Sequence, residues 1–295
     1  MAGIYIHIPF CKQACTYCNF HFSTSLSRKA DLLNAIVMEM DQRVRSDETI
    51  DSVYFGGGTP SLCSSKEIEN LLSCLKRKVS FSKEIEITLE CNPDDLSGQY
   101  LSDILEVGIN RLSIGVQSFY DSDLKFMNRA HNSLEAKTCI QNALSAGFDN
   151  ITIDLIYGSP TTTNDMWLEN IQRALGSGIH HLSSYALTVE DKTKLNYDVK
   201  LGKVHVNEET AATQFDILLA QLNLYGFEQY EISNFCKEEK YAKHNTSYWQ
   251  GNSYIGLGPA AHSYDGKKRR WNIANNALYM KGIREASIYW EEEVL

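Results

Sequence analysis

The sequence predicts an α/β protein built as a partial (β/α)6 barrel, on three observations. Short β-branched runs alternate with helix-period segments, which is the sequence form of repeated βα units around a parallel sheet. There are six such runs, too few for a complete eight-fold barrel, so an open lateral cleft is expected. Cysteines, glycines and a carboxylate follow the ends of those runs, where barrel chemistry is placed.

In order, the runs are Gly3–Ile8, Ser52–Phe55, Ile85–Glu90, Arg111–Val116, Asn150–Tyr157 and His181–Leu187. Between them, Leu33, Ile36, Val37, Met40 and Val44, then Ile68, Leu71, Leu72, Leu75 and Val79, recur at three- and four-residue steps. Each stripe can cover one flank of a sheet. Beyond Gly226 the pattern changes to loops rich in Tyr, Asn and Gly. The expected division is a barrel over residues 1–235 and an extension over residues 236–295. A helical segment, Asn276–Ile283, runs into Glu291–Leu295 without a stop signal, so the extension reads as the start of a truncated C-terminal domain.

With 295 residues, 43% of them hydrophobic, the chain can bury one large core. Its net charge of -9 argues against wide electrostatic contact with nucleic acid and favours a small or cationic partner. No secretory signal and no run of 18 apolar residues is present, so a cytoplasmic protein without a transmembrane segment is expected. Of eight cysteines only Cys11, Cys15 and Cys18 cluster; Cys63, Cys74, Cys91, Cys139 and Cys236 read as buried thiols.

Cys-x3-Cys-x2-Cys is the decisive motif. Three thiolates in one loop can ligate three irons of a cubane and leave the fourth iron open. Zinc is the rival reading, with His21 as the local fourth candidate.

These residues resemble the radical S-adenosylmethionine (SAM) superfamily, and Tyr5-Ile-His-Ile-Pro-Phe-Cys11 resembles its oxygen-independent coproporphyrinogen III oxidase-like branch. The resemblance continues through Gly56-Gly57-Gly58-Thr59-Pro60, Glu90-Cys-Asn-Pro93, Gly115-Val-Gln-Ser118, Asn128-Arg-Ala-His131 and Asp154-Leu-Ile-Tyr-Gly158. It implies a radical SAM barrel with a [4Fe–4S] cluster on Cys11, Cys15 and Cys18, SAM on the open iron, and reductive cleavage of a SAM C–S bond. It further implies that Tyr5, Gly57, Gly58, Thr59 and Glu90 touch SAM. Gln117, Arg129 and Asp154 match positions that contact a second SAM in the coproporphyrinogen dehydrogenase; an Arg129–Asp154 salt bridge across the barrel mouth is the alternative. Tyr17, Tyr185 and Ala186 are weaker candidates for the same pocket.

Two departures choose a branch. The dehydrogenase carries a fourth cysteine where this chain has Phe20, and His244-Asn245-Thr-Ser-Tyr248-Trp249 resembles the HNxxYW signature of the heme-chaperone family. That resemblance implies heme as cargo, acceptor heme proteins as partners, transient contact with membrane-bound acceptors, and His244 as candidate axial ligand, with Tyr248 and Trp249 offering flat apolar faces. The alternative is a dehydrogenase that decarboxylates porphyrinogen propionates.

Overall fold

The computed structural model describes residues 3–45 and 49–295. Six parallel strands match the six expected runs: β1 Gly3–Ile8, β2 Thr49–Gly57, β3 Ser80–Cys91, β4 Arg111–Gln117, β5 Ile151–Tyr157 and β6 His181–Ala186. They pair consecutively and in parallel. Helices α1 Lys29–Arg43, α2 Ser65–Lys76, α3 Gly98–Val107, α4 Asp121–Phe126, α5 Ser133–Ser145 and α6 Asn164–Leu175 form the crossovers. Their starts are encoded locally: Ser64 and Asn132 each close a capping box with the Glu three residues on, which satisfies the otherwise unpaired N–H groups of the first turn.

Both apolar stripes face the sheet. Leu33, Ile36 and Met40 of α1, and Ile68, Leu71, Leu72 and Leu75 of α2, are buried, while Val37 packs against the same core half-buried. Strand β4 is buried along its whole length, as a strand covered on both faces must be. All five unclustered cysteines are free and buried.

The sheet does not stop at six strands. After α7 Lys194–Lys200 and α8 Glu208–Leu224 come β7 Glu228–Gln229 and β8 Asn234–Cys236, then α9 Lys243–Trp249, β9 Tyr254–Leu257, β10 His262–Tyr264, β11 Lys268–Asn272, α10 Asn276–Glu285 and β12 Trp290–Val294. Strand β9 adds in parallel to β1, and β8 adds antiparallel to β6. The result is one open 12-stranded sheet in the order β12-β11-β10-β9-β1-β2-β3-β4-β5-β6-β8-β7. The expected division after residue 235 falls inside β8, and strands on both sides of it share this sheet. The expected loops beyond Gly226 are therefore largely short strands and helices.

A buried carboxylate secures the added layer. Glu39 of α1, with no exposed surface, accepts from Arg43 Nη1 at 2.8 Å, Gly258 N at 2.8 Å, Asn272 Nδ2 at 2.8 Å and Tyr279 Oη at 2.7 Å. A buried charge is tolerated when it is fully hydrogen-bonded in this way. No helix among the described residues is long and apolar enough to cross a membrane.

Candidate functional site

The C-terminal ends of β1 to β6 open onto a cavity of about 460 Å³. The Cys11, Cys15 and Cys18 loop forms one wall, and the ends of β2, β3, β4 and β5 form the other. Local hydrogen bonds fix the loop. Cys11 N donates to Ser23 O at 3.0 Å, Thr16 N to Met127 O at 3.1 Å, and Asn128 Nδ2 to Ala14 O at 2.8 Å. The Asn128-Arg-Ala-His131 segment thus acts as a bracket. Asn128 holds the loop from a left-handed conformation, Arg129 Nη1 points to Cys15 Sγ at 3.4 Å, and His131 Nε2 lies 3.0 Å from Val116 O.

Glu90, next to last in β3, is half-buried and accepts from Tyr54 Oη at 2.8 Å and Gly57 N at 3.0 Å. Burial raises its carboxyl above the ordinary range against those two hydrogen bonds. Asp154 on β5 is pushed up to about 7, chiefly by burial and then by Glu90. Its oxygens accept from Ser113 Oγ at 3.3 Å. Arg129 does not bridge to it: Arg129 Nη2 donates to Asn92 Oδ1 at 2.7 Å and Gly115 O at 2.9 Å, and its Nε is buried without a partner. No Arg129–Asp154 ion pair forms among the described residues. The cavity therefore presents two carboxylates and a guanidinium that do not neutralise one another by direct contact.

Residues 5–187 match the radical SAM superfamily. The heme chaperone HemW of Bacillus subtilis is 36% identical over 290 residues, covering 97% of this chain and 76% of that protein. This chain belongs to the HemW family of the radical SAM superfamily. HemW of Mycobacterium tuberculosis strain H37Rv is 32% identical, over 97% of this chain and 75% of that one. The mitochondrial radical S-adenosyl methionine domain-containing protein 1 of Mus musculus is 34% identical over 88% of this chain and 60% of its own length. In fold, Escherichia coli coproporphyrinogen III oxidase HemN, a radical SAM enzyme, superposes with a TM-score of 0.87 over 100% of this chain and 72% of that one, at 21% identity.

The residues fit the cofactors of such a HemW-family chain. Cys11, Cys15 and Cys18 all line this one cavity, and a cubane takes each thiolate on a different iron. His21, the fourth ligand of the zinc reading, lies in a different cavity and bonds Asn276 Oδ1 through Nε2 at 2.7 Å. SAM carries an ammonium, a sulfonium and a carboxylate. Glu90 and Asp154 suit the cations, and Arg129, with its unpartnered Nε, suits the carboxylate.

Gly57, Gly58, Thr59, Glu90, Gln117, Arg129 and Asp154 all line the cavity, as do Tyr17, Tyr185 and Ala186. Tyr5 does not. It lines an adjoining interior cavity with Tyr54, Glu90, Ser113 and Asp154, its ring centroid 6.0 Å from that of Tyr54, and its hydroxyl donates to His7 Nδ1 at 3.1 Å. Sequence reasoning gave no role to Tyr54, Ser113 or Asn92. Asn92 lies within a quoted motif, and Tyr54 shares the inward period of β2 with Ser52, so position alone was the available signal.

His244 is placed differently from its expected role. The HNxxYW segment is helix α9, not a loop, and His244 is 2% exposed. Its Nδ1 lies 2.8 Å from Ser52 Oγ and its Nε2 2.9 Å from Tyr248 Oη. Its backbone N–H, with that of Lys243, donates to the buried Glu86. Burial lowers the imidazole to about 3, so it is neutral, with both nitrogens engaged. That arrangement offers no nitrogen to an iron, while Trp249 stands 58% exposed on the same helix.

Proposed function

We propose that this chain is a [4Fe–4S] protein that binds heme and delivers it to acceptor heme proteins in the cytoplasm, some of them membrane-bound. Cys11, Cys15 and Cys18 would hold the cluster, and Gly57, Gly58, Thr59, Glu90, Gln117, Arg129 and Asp154 would bind SAM. The observation that carries the reading is 36% identity to a heme chaperone across 97% of the chain.

When bound, the cluster supplies a single electron and an open iron. The chain's own residues do the rest. Arg129 is anchored through Asn92 and Gly115 and faces Cys15, which fixes the cationic side of the cavity. Tyr54 and Gly57 N hold both oxygens of Glu90, so that carboxylate is oriented before any ligand arrives, and less ordering remains to be done on binding. Asp154 can carry or release a proton near neutral pH.

The test pairs hemin titration of the anaerobically reconstituted chain with transfer of bound heme to an apo heme protein, and with product analysis on coproporphyrinogen III. Stoichiometric binding, transfer and no porphyrinogen turnover are expected. Absence of hemin binding, or porphyrinogen conversion at an ordinary enzymatic rate of about 0.1 per second or faster, overturns the reading.

A further inference from the structure

A second cavity, of about 600 Å³, lies beside the first on the β9 side of β1. Its walls include Phe20, Phe22, Tyr248 and Tyr254, together with His21 and His262. Phe20 also lines the cysteine cavity and is 69% exposed, so its ring stands free at the border of the two cavities, where a ligand can cover it. The volume falls within the roughly 300–1,000 Å³ of cofactor sites, which combine apolar walls with a few placed polar groups.

The His21 ring is held by a hydrogen bond at one nitrogen. Its Nε2 lies 2.7 Å from Asn276 Oδ1, an acceptor that places the ring proton on Nε2. Its Nδ1 has no hydrogen-bond partner among the described residues, and a hydrogen bond at one ring nitrogen is what orients the other toward a metal. Its backbone is fixed as well, because His7 Nε2 lies 3.0 Å from His21 O while His7 Nδ1 accepts from Tyr5. His7 therefore has no nitrogen to spare. His262 stacks on Trp271 at 6.0 Å, with no side-chain hydrogen bond among the described residues. An adjoining cavity shares Tyr248 and Tyr254 and is lined by Arg269, which has no ion-pair partner among the described residues and suits a carboxylate.

We infer that this cavity is the iron-porphyrin site, with His21 Nδ1 as axial ligand, the Phe20, Tyr248 and Tyr254 rings against the macrocycle, and Arg269 toward a propionate. The inference rests on the heme-chaperone reading and moves the ligand from His244 to His21. It also gives the Phe20 position a use, since an apolar ring there continues the porphyrin wall to the edge of the cysteine cavity.

The experiment titrates the full chain and its variants with hemin and, in parallel, with metal-free protoporphyrin IX, recording the Soret band and affinity. His21→Ala should shift the Soret band and weaken hemin at least tenfold, with at most a twofold change for protoporphyrin IX. Phe20→Ala should weaken both several-fold, and His205→Ala, on an exposed residue outside the cavity, should change neither. His21→Cys guards against loss through misfolding, because a cysteine there should move the spectrum toward that of a thiolate-ligated heme. A wild-type chain that binds no hemin overturns the chaperone reading itself. A wild-type chain that binds, with His21→Ala and His21→Cys both retaining its Soret band and affinity, overturns the His21 assignment alone.

Discussion

Nδ1 of His244 lies 2.8 Å from Oγ of Ser52, and this contact ties α9 to the strand that carries the glycine triplet. The ring also packs 5.1 Å from Tyr54 and 6.4 Å from Tyr5. A methyl group on Gly3 would sit 2.8 Å from the imidazole, so β1 keeps a glycine to admit it. The expected result for His244→Ala is a loss of about 2–4 kcal/mol in chemical denaturation, from two buried hydrogen bonds and the cavity left behind. Bound heme should keep its ligand type. A changed axial ligand in a folded His244→Ala protein would return the iron to this residue.

Cysteine substitutions separate cluster from zinc. Anaerobic reconstitution should yield about four iron and four sulfide per chain, with broad absorbance near about 400 nm. Replacing Cys11, Cys15 or Cys18 by Ala should abolish it. Cys63→Ala and Cys236→Ala should leave iron and sulfide content unchanged, since both thiols are buried and outside the cavity. Metal analysis finding zinc alone would reverse the assignment.

Gly57 has φ of 111°, and a methyl group there would lie 2.5 Å from the His7 ring. His7 cannot rotate aside without giving up Tyr5 and the His21 carbonyl. The clash thus falls on the wall between the two cavities rather than on a ligand. Gly57→Ala should cost about 1–3 kcal/mol and disturb Glu90, whose Oε2 accepts from Gly57 N. Calorimetric SAM affinity should fall with it, as it should in Glu90→Ala. Unchanged affinity in both would remove SAM from this pocket.

The barrel was legible because its signals are local. Each of the six runs has the apolar composition of a buried strand, and the two apolar stripes repeat at helical spacing over whole helices. The C-terminal layer was not. Strands β7, β8 and β10 span two or three residues each, too short for any period, and they exist because β1 and β6 offer edges to pair with. In the site, the residues of the quoted motifs line one cavity with the cysteines, and such motifs are visible in sequence because chemistry restricts their residue types. Tyr5 was read as touching SAM and lines an adjoining interior cavity instead of the cysteine cavity, and His244 was read as an axial ligand in a loop and is buried in helix α9. An aromatic or histidine side chain carries no mark in sequence of which side of a neighbouring residue it packs on. Glu39 and Glu86 were invisible for a related reason, because a buried carboxylate is made acceptable by partners as far as 240 residues away.

Asp154 makes the site sensitive to pH near neutrality. Burial, reinforced by Glu90, raises its carboxyl to about 7, while hydroxyls of Ser183 and Ser113 and the charge of Arg129 pull the other way. Below that value it is neutral; above it, anionic. If Asp154 receives a cationic group of SAM, affinity should rise about tenfold from pH 6 to pH 8, following the ionised fraction, and Asp154→Asn should flatten that rise. Stability runs in the opposite direction. A carboxyl raised in the folded state binds its proton more tightly there than in the unfolded chain, so the ligand-free protein loses stability as pH climbs from about 4 to about 7. Asp154→Asn removes that loss, and its denaturation midpoint should fall less than the wild type's across the same range. Parallel profiles for the two proteins, in binding and in denaturation, would show that Asp154 does not change its ionisation over this range and would take the pH dependence away from this residue.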